Sequence, residues 1–180
     1  TCRFSYPAGE GSKHIGTLSD MLEFLAEQEI TRQDIIIALG GGVAGDMAGF
    51  AAAVYQRGIR FVQVPTTFLA AVDSSVGGKT AIDLRAGKNM AGAFYQPQLV
   101  LCDVDTLDTL PEEIFADGIA ETLKYGVIGD AKLFAETASG DFREKLEEII
   151  ETCVKMKRDI VNEDEFDTGL RQLLNLGHTL

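Results

Sequence analysis

The run Ile35-Ile36-Ile37-Ala38-Leu39, closed by Gly40-Gly41-Gly42, constrains the fold more than any other stretch of the chain. Continuous apolar, β-branched residues over the length of a strand read as a buried parallel strand, and the glycines end it. The next helix is expected from Asp46 to Tyr55, followed by a second strand at Phe61-Val62-Gln63-Val64 that Pro65 stops. Strand, glycine turn, helix and strand in that order make a βαβ unit. An earlier helix is predicted from about Leu18 to Gln28, where Leu18, Leu22 and Leu25 share a face, and a third strand at Leu99-Val100-Leu101-Cys102. Beyond Leu110-Pro111 the pattern turns helical, with helices expected near Glu112–Tyr125, Ala131–Thr137 and Phe142–Asn162. The fold class is therefore α/β, with an α/β domain over residues 1–110 and a helical domain over 111–180.

Composition narrows the function. Sixteen Lys and Arg against 28 Asp and Glu leave a net charge of −12 in 180 residues, so a nucleic-acid or anionic-membrane surface is not expected. At 46% hydrophobic residues the chain can build a core, and no apolar run reaches the ~18 residues that span a bilayer. Cys2, Cys102 and Cys153 are odd in number and far apart, and read as reduced, mostly buried thiols of a cytoplasmic protein. The start Thr1-Cys2-Arg3-Phe4 has neither an initiator Met nor a signal-peptide layout, so the chain is expected to begin inside a larger protein.

Chemistry concentrates between Asp73 and Asn89. Asp73-Ser74-Ser75-Val76-Gly77-Gly78-Lys79-Thr80 and Gly87-Lys88-Asn89 place two ammonium groups, a carboxylate and an amide among small residues. Glycines let backbone approach a ligand closely, and lysines beside amide donors suit an anion such as phosphate. Gly40-x-Gly42-x-x-Gly45 has the dinucleotide spacing, although the acid expected some twenty residues on is replaced by Val64-Pro65-Thr66-Thr67. Asp46 reads equally as a helix cap, and Thr66-Thr67 as either a ligand contact at a strand end or a hydroxyl-rich turn. Glu121 and Lys124 share a helix face: a solvated i,i+3 ion pair is one reading, a bound carboxylate among Ile119, Ala120 and Leu123 the other. His178 is a metal-ligand candidate or a structural histidine; His14 reads as surface.

Gly40-Gly41-Gly42-Val43-Ala44-Gly45-Asp46, Pro65-Thr66-Thr67, the Val72-to-Thr80 run, Gly87-Lys88-Asn89, Ala120-Glu121-Thr122-Leu123-Lys124 and Leu174-Asn175-Leu176-Gly177-His178-Thr179 closely resemble, collinearly, the 3-dehydroquinate synthase family. The resemblance implies an N-terminal Rossmann-like dinucleotide-binding domain, a helical metal-binding domain, and an NAD- and zinc-dependent lyase, with cobalt as an alternative metal. Its substrate would be a small phosphorylated sugar acid, 3-deoxy-D-arabino-heptulosonate 7-phosphate, converted to 3-dehydroquinate in aromatic biosynthesis by a cytoplasmic homodimer.

Carried over by motif, Glu10, Lys13, Gly42, Val43, Ala44, Gly45, Asp46, Thr66, Thr67, Thr106 and Thr109 would hold NAD. Lys79 and Lys88 would line cofactor and substrate, and Glu121 and His178 would be two of three zinc ligands. Asp73, Asn89, Lys124, Lys157, Arg171 and Asn175 would contact substrate, and Arg57 would reach the phosphate across the dimer. In this division Lys79 and Asn89 hold the phosphate, Arg171 and Lys157 the carboxylate. The family has strands before Pro7 and a further metal-ligand segment after Leu180, so the chain is expected to be its middle portion; Asp167 replaces a usual Glu. Rival readings are a sugar-phosphate cyclase making 2-deoxy-scyllo-inosose or a valiolone, a metal-dependent glycerol or alcohol dehydrogenase, and an inactive NAD-binding fragment.

Overall fold

The computed structural model describes residues 1–140 and 142–177. They gather into two compact units: Thr1–Val64 with Gly78–Leu101, and Pro65–Gly77 with the residues from Cys102 onward. The change expected at Leu110-Pro111 thus falls nearer residue 101. Residues 65–77 join the helical unit because Phe68, Ala71 and Val72 bury their side chains in its core.

In the α/β unit, α1 (Ile15–Glu27) turns Leu18, Met21 and Leu25 inward. Its start is set by His14, whose Nδ1 accepts from the N–H groups of Gly16 and Thr17, so the exposed imidazole acts as an N-cap. β1 (Ile35–Gly40), β2 (Arg60–Pro65) and β5 (Leu99–Val100) form a sheet in the order β1-β2-β5, with β2 and β5 parallel and Val62 opposite Leu99. β1 is not buried on both faces as its sequence suggests. Ala38 is buried, whereas Ile35, Ile37 and Leu39 are exposed: α2 (Gly42–Val54) packs on β1, and the alternate row of the pleat is uncovered.

The helix expected from Asp46 begins at Gly42, with Gly41 as N-cap. Gly40, at φ 152°, makes the turn that the sequence assigned to a longer glycine loop. Gly49 keeps α2 close to the sheet, because a Cβ there would press within 3.1 Å of the Phe61 ring. A larger departure lies at residues 73–89. Where the sequence suggests ligand chemistry and no strand, a π-helical turn over Ala70–Ser74 leads through Gly77-Gly78 into an antiparallel hairpin of β3 (Lys79–Leu84) and β4 (Gly87–Phe94), with Lys79 opposite Phe94 and Leu84 opposite Gly87. Thr80 and Ile82 point inward along β3, a period-two pattern obscured by the small or charged residues beside them.

The helical unit contains α3 (Glu112–Gly129), α4 (Ala131–Ala138) and α5 (Leu146–Glu163), with 3-10 turns at Val104–Thr109, Phe142–Lys145 and Leu170–Asn175. Its core gathers Phe68, Phe115, Tyr125, Leu133, Ile149, Cys153 and Leu174, and the rings of Phe68 and Phe115 stack 4.8 Å apart. α3 reaches this core through Gly118, where a Cβ would fall 2.6 Å from Phe68 Cγ. Gly118→Ala should therefore overpack the site and lower unfolding stability by about 1–3 kcal/mol. Urea denaturation checks this, and equal midpoints would show that the Phe68 ring moves aside freely.

Among the described residues, no helix is long and apolar enough to cross a membrane. The cysteines are free thiols: Cys153 is buried, Cys102 half-buried and Cys2 exposed.

Candidate functional site

The densest polar chemistry lies inside the helical unit. Asp73, on the π-helical turn, receives the Lys157 ammonium twice, at 2.7 Å on Oδ1 and 2.8 Å on its main-chain oxygen. The Tyr125 hydroxyl donates to the same Oδ1 at 2.7 Å. Burial alone would raise the Asp73 carboxyl, but the Lys157 charge, the hydrogen bonds from Lys157 and Tyr125, and the charge of Lys124 outweigh it and hold the group below the ordinary carboxylate range. Lys157 is only 6% exposed, so the pair is an internal one.

Arg171 is also buried, at 2% exposure. Its guanidinium donates to the carbonyls of Gly77 at 2.8 Å and Glu165 at 2.6 Å, so in this structure it ties two backbone segments together. The turn that delivers it is organised by Asp164, whose carboxylate accepts from the N–H groups of Thr168, Gly169 and Arg171. The Thr168 N–H above all, then those of Gly169 and Arg171, pull the Asp164 carboxyl down to about 2. Because this folded value lies below the usual 3.8, the stabilisation is complete above about pH 4 and is lost as pH falls through about 2. Hydrogen exchange at the Gly169 and Arg171 amides should accelerate over that window. A rate following only the ordinary chemical pH dependence would show that the carboxylate does not hold the turn.

Glu121 and Lys124, one turn apart on α3, form an ion pair whose side chains are each 8% exposed. The solvated-surface reading of this pair is thereby overturned: the turn packs against the Leu170–Asn175 segment, where the Lys124 ammonium also donates to the Leu174 carbonyl at 2.6 Å. Asn175 closes that segment and is exposed. His178 lies outside the described residues. Among the described residues, no group of three His, Cys, Asp or Glu side chains could hold a metal ion.

The α/β unit has its own buried ammonium. Lys13, 5% exposed, reaches Asp46 Oδ2 at 2.5 Å and Asn89 Oδ1 at 2.6 Å. Asp46 is therefore no plain cap, since Gly41 holds the cap position. Asn89 has φ 55°, in the left-handed region, and its N–H donates to Asp83 Oδ1 at 2.8 Å. These contacts tie the hairpin turn to the start of α2. Gly42, Val43, Ala44 and Gly45 make the first turn of α2, whose N-cap offers no side-chain acceptor. Lys88 is exposed, with Glu10 at 3.6 Å, and Lys79 opens β3 with its side chain outward. Arg57 is exposed at φ 67°, between Gln56 at 48° and Gly58 at 122°.

The predicted cofactor residues are thus divided. Glu10, Lys13, Gly42 to Asp46, Lys79 and Lys88 lie in the α/β unit, and Thr66, Thr67, Thr106 and Thr109 in the helical one. The Thr106 and Thr109 hydroxyls donate to the carbonyls of Asp103 and Thr106, and Thr67 Oγ1 accepts from the Ala70 N–H at 3.3 Å, all turn-forming contacts. Tyr125 is the residue the sequence reading missed. A tyrosine on the apolar face of a helix reads as core, and only its position one turn beyond Glu121 marked it.

The chain thus combines an α/β unit, with a glycine turn ahead of α2, and a helical unit with two buried ion pairs. Residues 3–117 match the 3-dehydroquinate synthase N-terminal family and residues 118–180 the 3-dehydroquinate synthase C-terminal family. The chain belongs to the 3-dehydroquinate synthase family. It is 51% identical over 181 aligned positions to the 3-dehydroquinate synthase of Clostridium perfringens, with 98% of this chain and 51% of the relative covered. Among solved structures, a 2-deoxy-scyllo-inosose synthase complexed with carbaglucose-6-phosphate, NAD+ and Co2+ is 34% identical with a TM-score of 0.88, over 96% of this chain and 49% of the other. The 2-epi-5-epi-valiolone synthase of Streptomyces hygroscopicus with NAD+ and Zn2+ bound is 28% identical, TM-score 0.89, over 96% and 51%. The chain spans about half the length of the curated relatives it matches.

Proposed function

We propose that this chain belongs to a 3-dehydroquinate synthase, an NAD- and zinc-dependent lyase that converts 3-deoxy-D-arabino-heptulosonate 7-phosphate to 3-dehydroquinate and phosphate as a cytoplasmic homodimer. The observation that carries the reading is the unbroken match of residues 3–117 and 118–180 to the two parts of one enzyme family.

The donor chemistry suits both partners. The Gly41 cap and first turn of α2 present backbone N–H groups to a pyrophosphate, with Asp46 and Lys13 beside them. Glu121 supplies a buried oxygen donor that, with the imidazole of His178, fits zinc. Cobalt would accept the same donors. When bound, NAD supplies a reversible hydride acceptor and the metal Lewis acidity at the substrate hydroxyls.

The chain's own residues then bind and orient. Lys79, Lys88 and Asn89, with Arg57 from the other protomer, take the phosphate by charge-assisted hydrogen bonds. Asp73 accepts from a substrate hydroxyl. Lys124 serves as a further substrate contact, and Arg171, Lys157 and Asn175 as partners of the carboxylate. Ring closure asks chiefly for held geometry.

The deciding measurement follows the whole enzyme with substrate and NAD. Phosphate should appear in step with product while NADH absorbance shows no net rise, since the hydride is returned. NADH accumulating with turnover would identify a dehydrogenase. A second reading is supported by the TM-scores of 0.88 and 0.89 with the two cyclases: the chain would then cyclise a sugar phosphate that carries no carboxylate. Turnover of a substrate without a carboxylate, and none of the heptulosonate, would select it. Cofactor binding with no turnover in the whole protein would leave only an inactive NAD-binding module. For the metal, Glu121→Ala should lower zinc affinity by more than the about 10- to 100-fold that losing a mere outer-shell partner costs, and normal zinc content in that variant would remove Glu121 from the ligand set.

A further inference from the structure

We propose that Tyr125 is a positioning residue for Asp73: together with Lys157 it fixes one carboxylate oxygen, leaving the other as the acceptor offered to the substrate. The functional part of this inference rests on the reading of Asp73 as a substrate contact.

The geometry is specific. Both hydrogen bonds end on Oδ1, from Tyr125 on α3 and from Lys157 on α5, at 2.7 Å each. Lys157 is anchored a second time by the Asp73 main-chain oxygen, so the carboxylate, its backbone and two helices make one closed circuit. Oδ2 makes no hydrogen bond among the described residues and is not among the buried oxygens that lack one, so the one-fifth of the Asp73 side chain still exposed includes this oxygen. A single donor leaves a carboxylate free to rotate about its Cβ–Cγ bond; two donors converging on one oxygen from different helices do not.

Charge balance does not require the phenol, because Lys157 already neutralises Asp73. What Tyr125 adds is direction. Its hydroxyl is buried and beside an anion, which pushes its titration far above the ordinary range, so it remains a donor at every working pH. The other groups around Asp73 cannot take this place. Lys124 acts on Asp73 by its charge while its ammonium is engaged with Glu121 and the Leu174 carbonyl. Arg171 is turned to the Gly77 and Glu165 carbonyls. The Cys153 thiol is pushed up to about 12 by burial and stays neutral.

The test compares Tyr125→Phe, which keeps the ring and removes the hydroxyl, with Tyr125→Leu as a packing control. In the whole enzyme, the Asp73 carboxyl is titrated by carbon-13 NMR and assigned by its loss in Asp73→Asn, and kcat and KM are measured across pH. Tyr125→Phe should move the Asp73 midpoint upward, lower kcat about tenfold or more with KM changed less than about twofold, and carry the acid limb of the profile upward with the NMR midpoint. An unmoved midpoint overturns the inference, as does a moved midpoint with unaltered kcat. If only Tyr125→Leu has an effect, the ring is packing and the inference also falls. Should the wild-type enzyme fail to turn over the heptulosonate, the functional reading fails by itself, and the NMR titration still decides whether Tyr125 holds Asp73.

Discussion

Lys157→Met should lower the unfolding free energy by about 3–5 kcal/mol, the range for removing one partner of a buried ion pair. The ammonium is nearly sealed from solvent and donates twice to Asp73. Methionine fills similar volume but leaves the carboxylate with only the Tyr125 hydroxyl. Part of the loss would be relieved by protonation, so the deficit should shrink as pH falls toward the carboxylate range. The double variant Asp73→Leu, Lys157→Met should regain most of the stability, because two apolar side chains carry no uncompensated charge. Chemical denaturation of the single and double variants measures both effects. A Lys157→Met chain within about 1 kcal/mol of the parent would mean that solvent or rearrangement compensates the pair.

Much of the frame was legible in the chain itself. The apolar run before Gly40 and the helical periodicity after Pro111 marked strands and helices within a few residues of their observed ends. The hairpin at 79–94 was not legible, because Lys79, Lys88 and Asn89 read as ligand chemistry and the glycines beside them as places of close backbone approach. Its inward residues Thr80 and Ile82 are too few to announce a strand. The uncovered row Ile35, Ile37 and Leu39 was equally hidden, since a run apolar on both faces says nothing of what packs on each. At the site, the sequence singled out Asp73, Lys124 and Lys157 but not the partners that the fold gives them. Spacing could pair Glu121 with Lys124, three apart on one helix. It could not pair Asp73 with Lys157, separated by 84 positions, nor show that Lys13 joins Asp46 to Asn89. Long-range polar contacts are set by tertiary packing, which local pattern does not encode.

Lys79→Ala should separate folding from chemistry most sharply. Lys79 follows Gly77 and Gly78, at φ 96° and 66°, and the Tyr95 N–H donates to the Gly78 carbonyl at 2.7 Å. The backbone there is held by glycine conformations and hairpin bonds, while the Lys79 side chain is exposed. Truncating it should cost no more than the loss of an exposed polar or ionic contact, about 0.2–1 kcal/mol. On the proposed function, the same ammonium lies against the phosphate that departs as charge builds on it. Removing such a preorganised cation should slow phosphate release by about 10²–10³-fold. Lys79→Arg, which keeps the charge in a broader fork, should recover part of the rate. Single-turnover phosphate release in the whole enzyme, with NADH absorbance followed alongside, measures the step. A low rate with product still formed in step with phosphate places the loss on the leaving group. Release at the parental rate would remove Lys79 from the phosphate site and turn attention to Lys88, which shares the hairpin but is paired with Glu10 at only 3.6 Å.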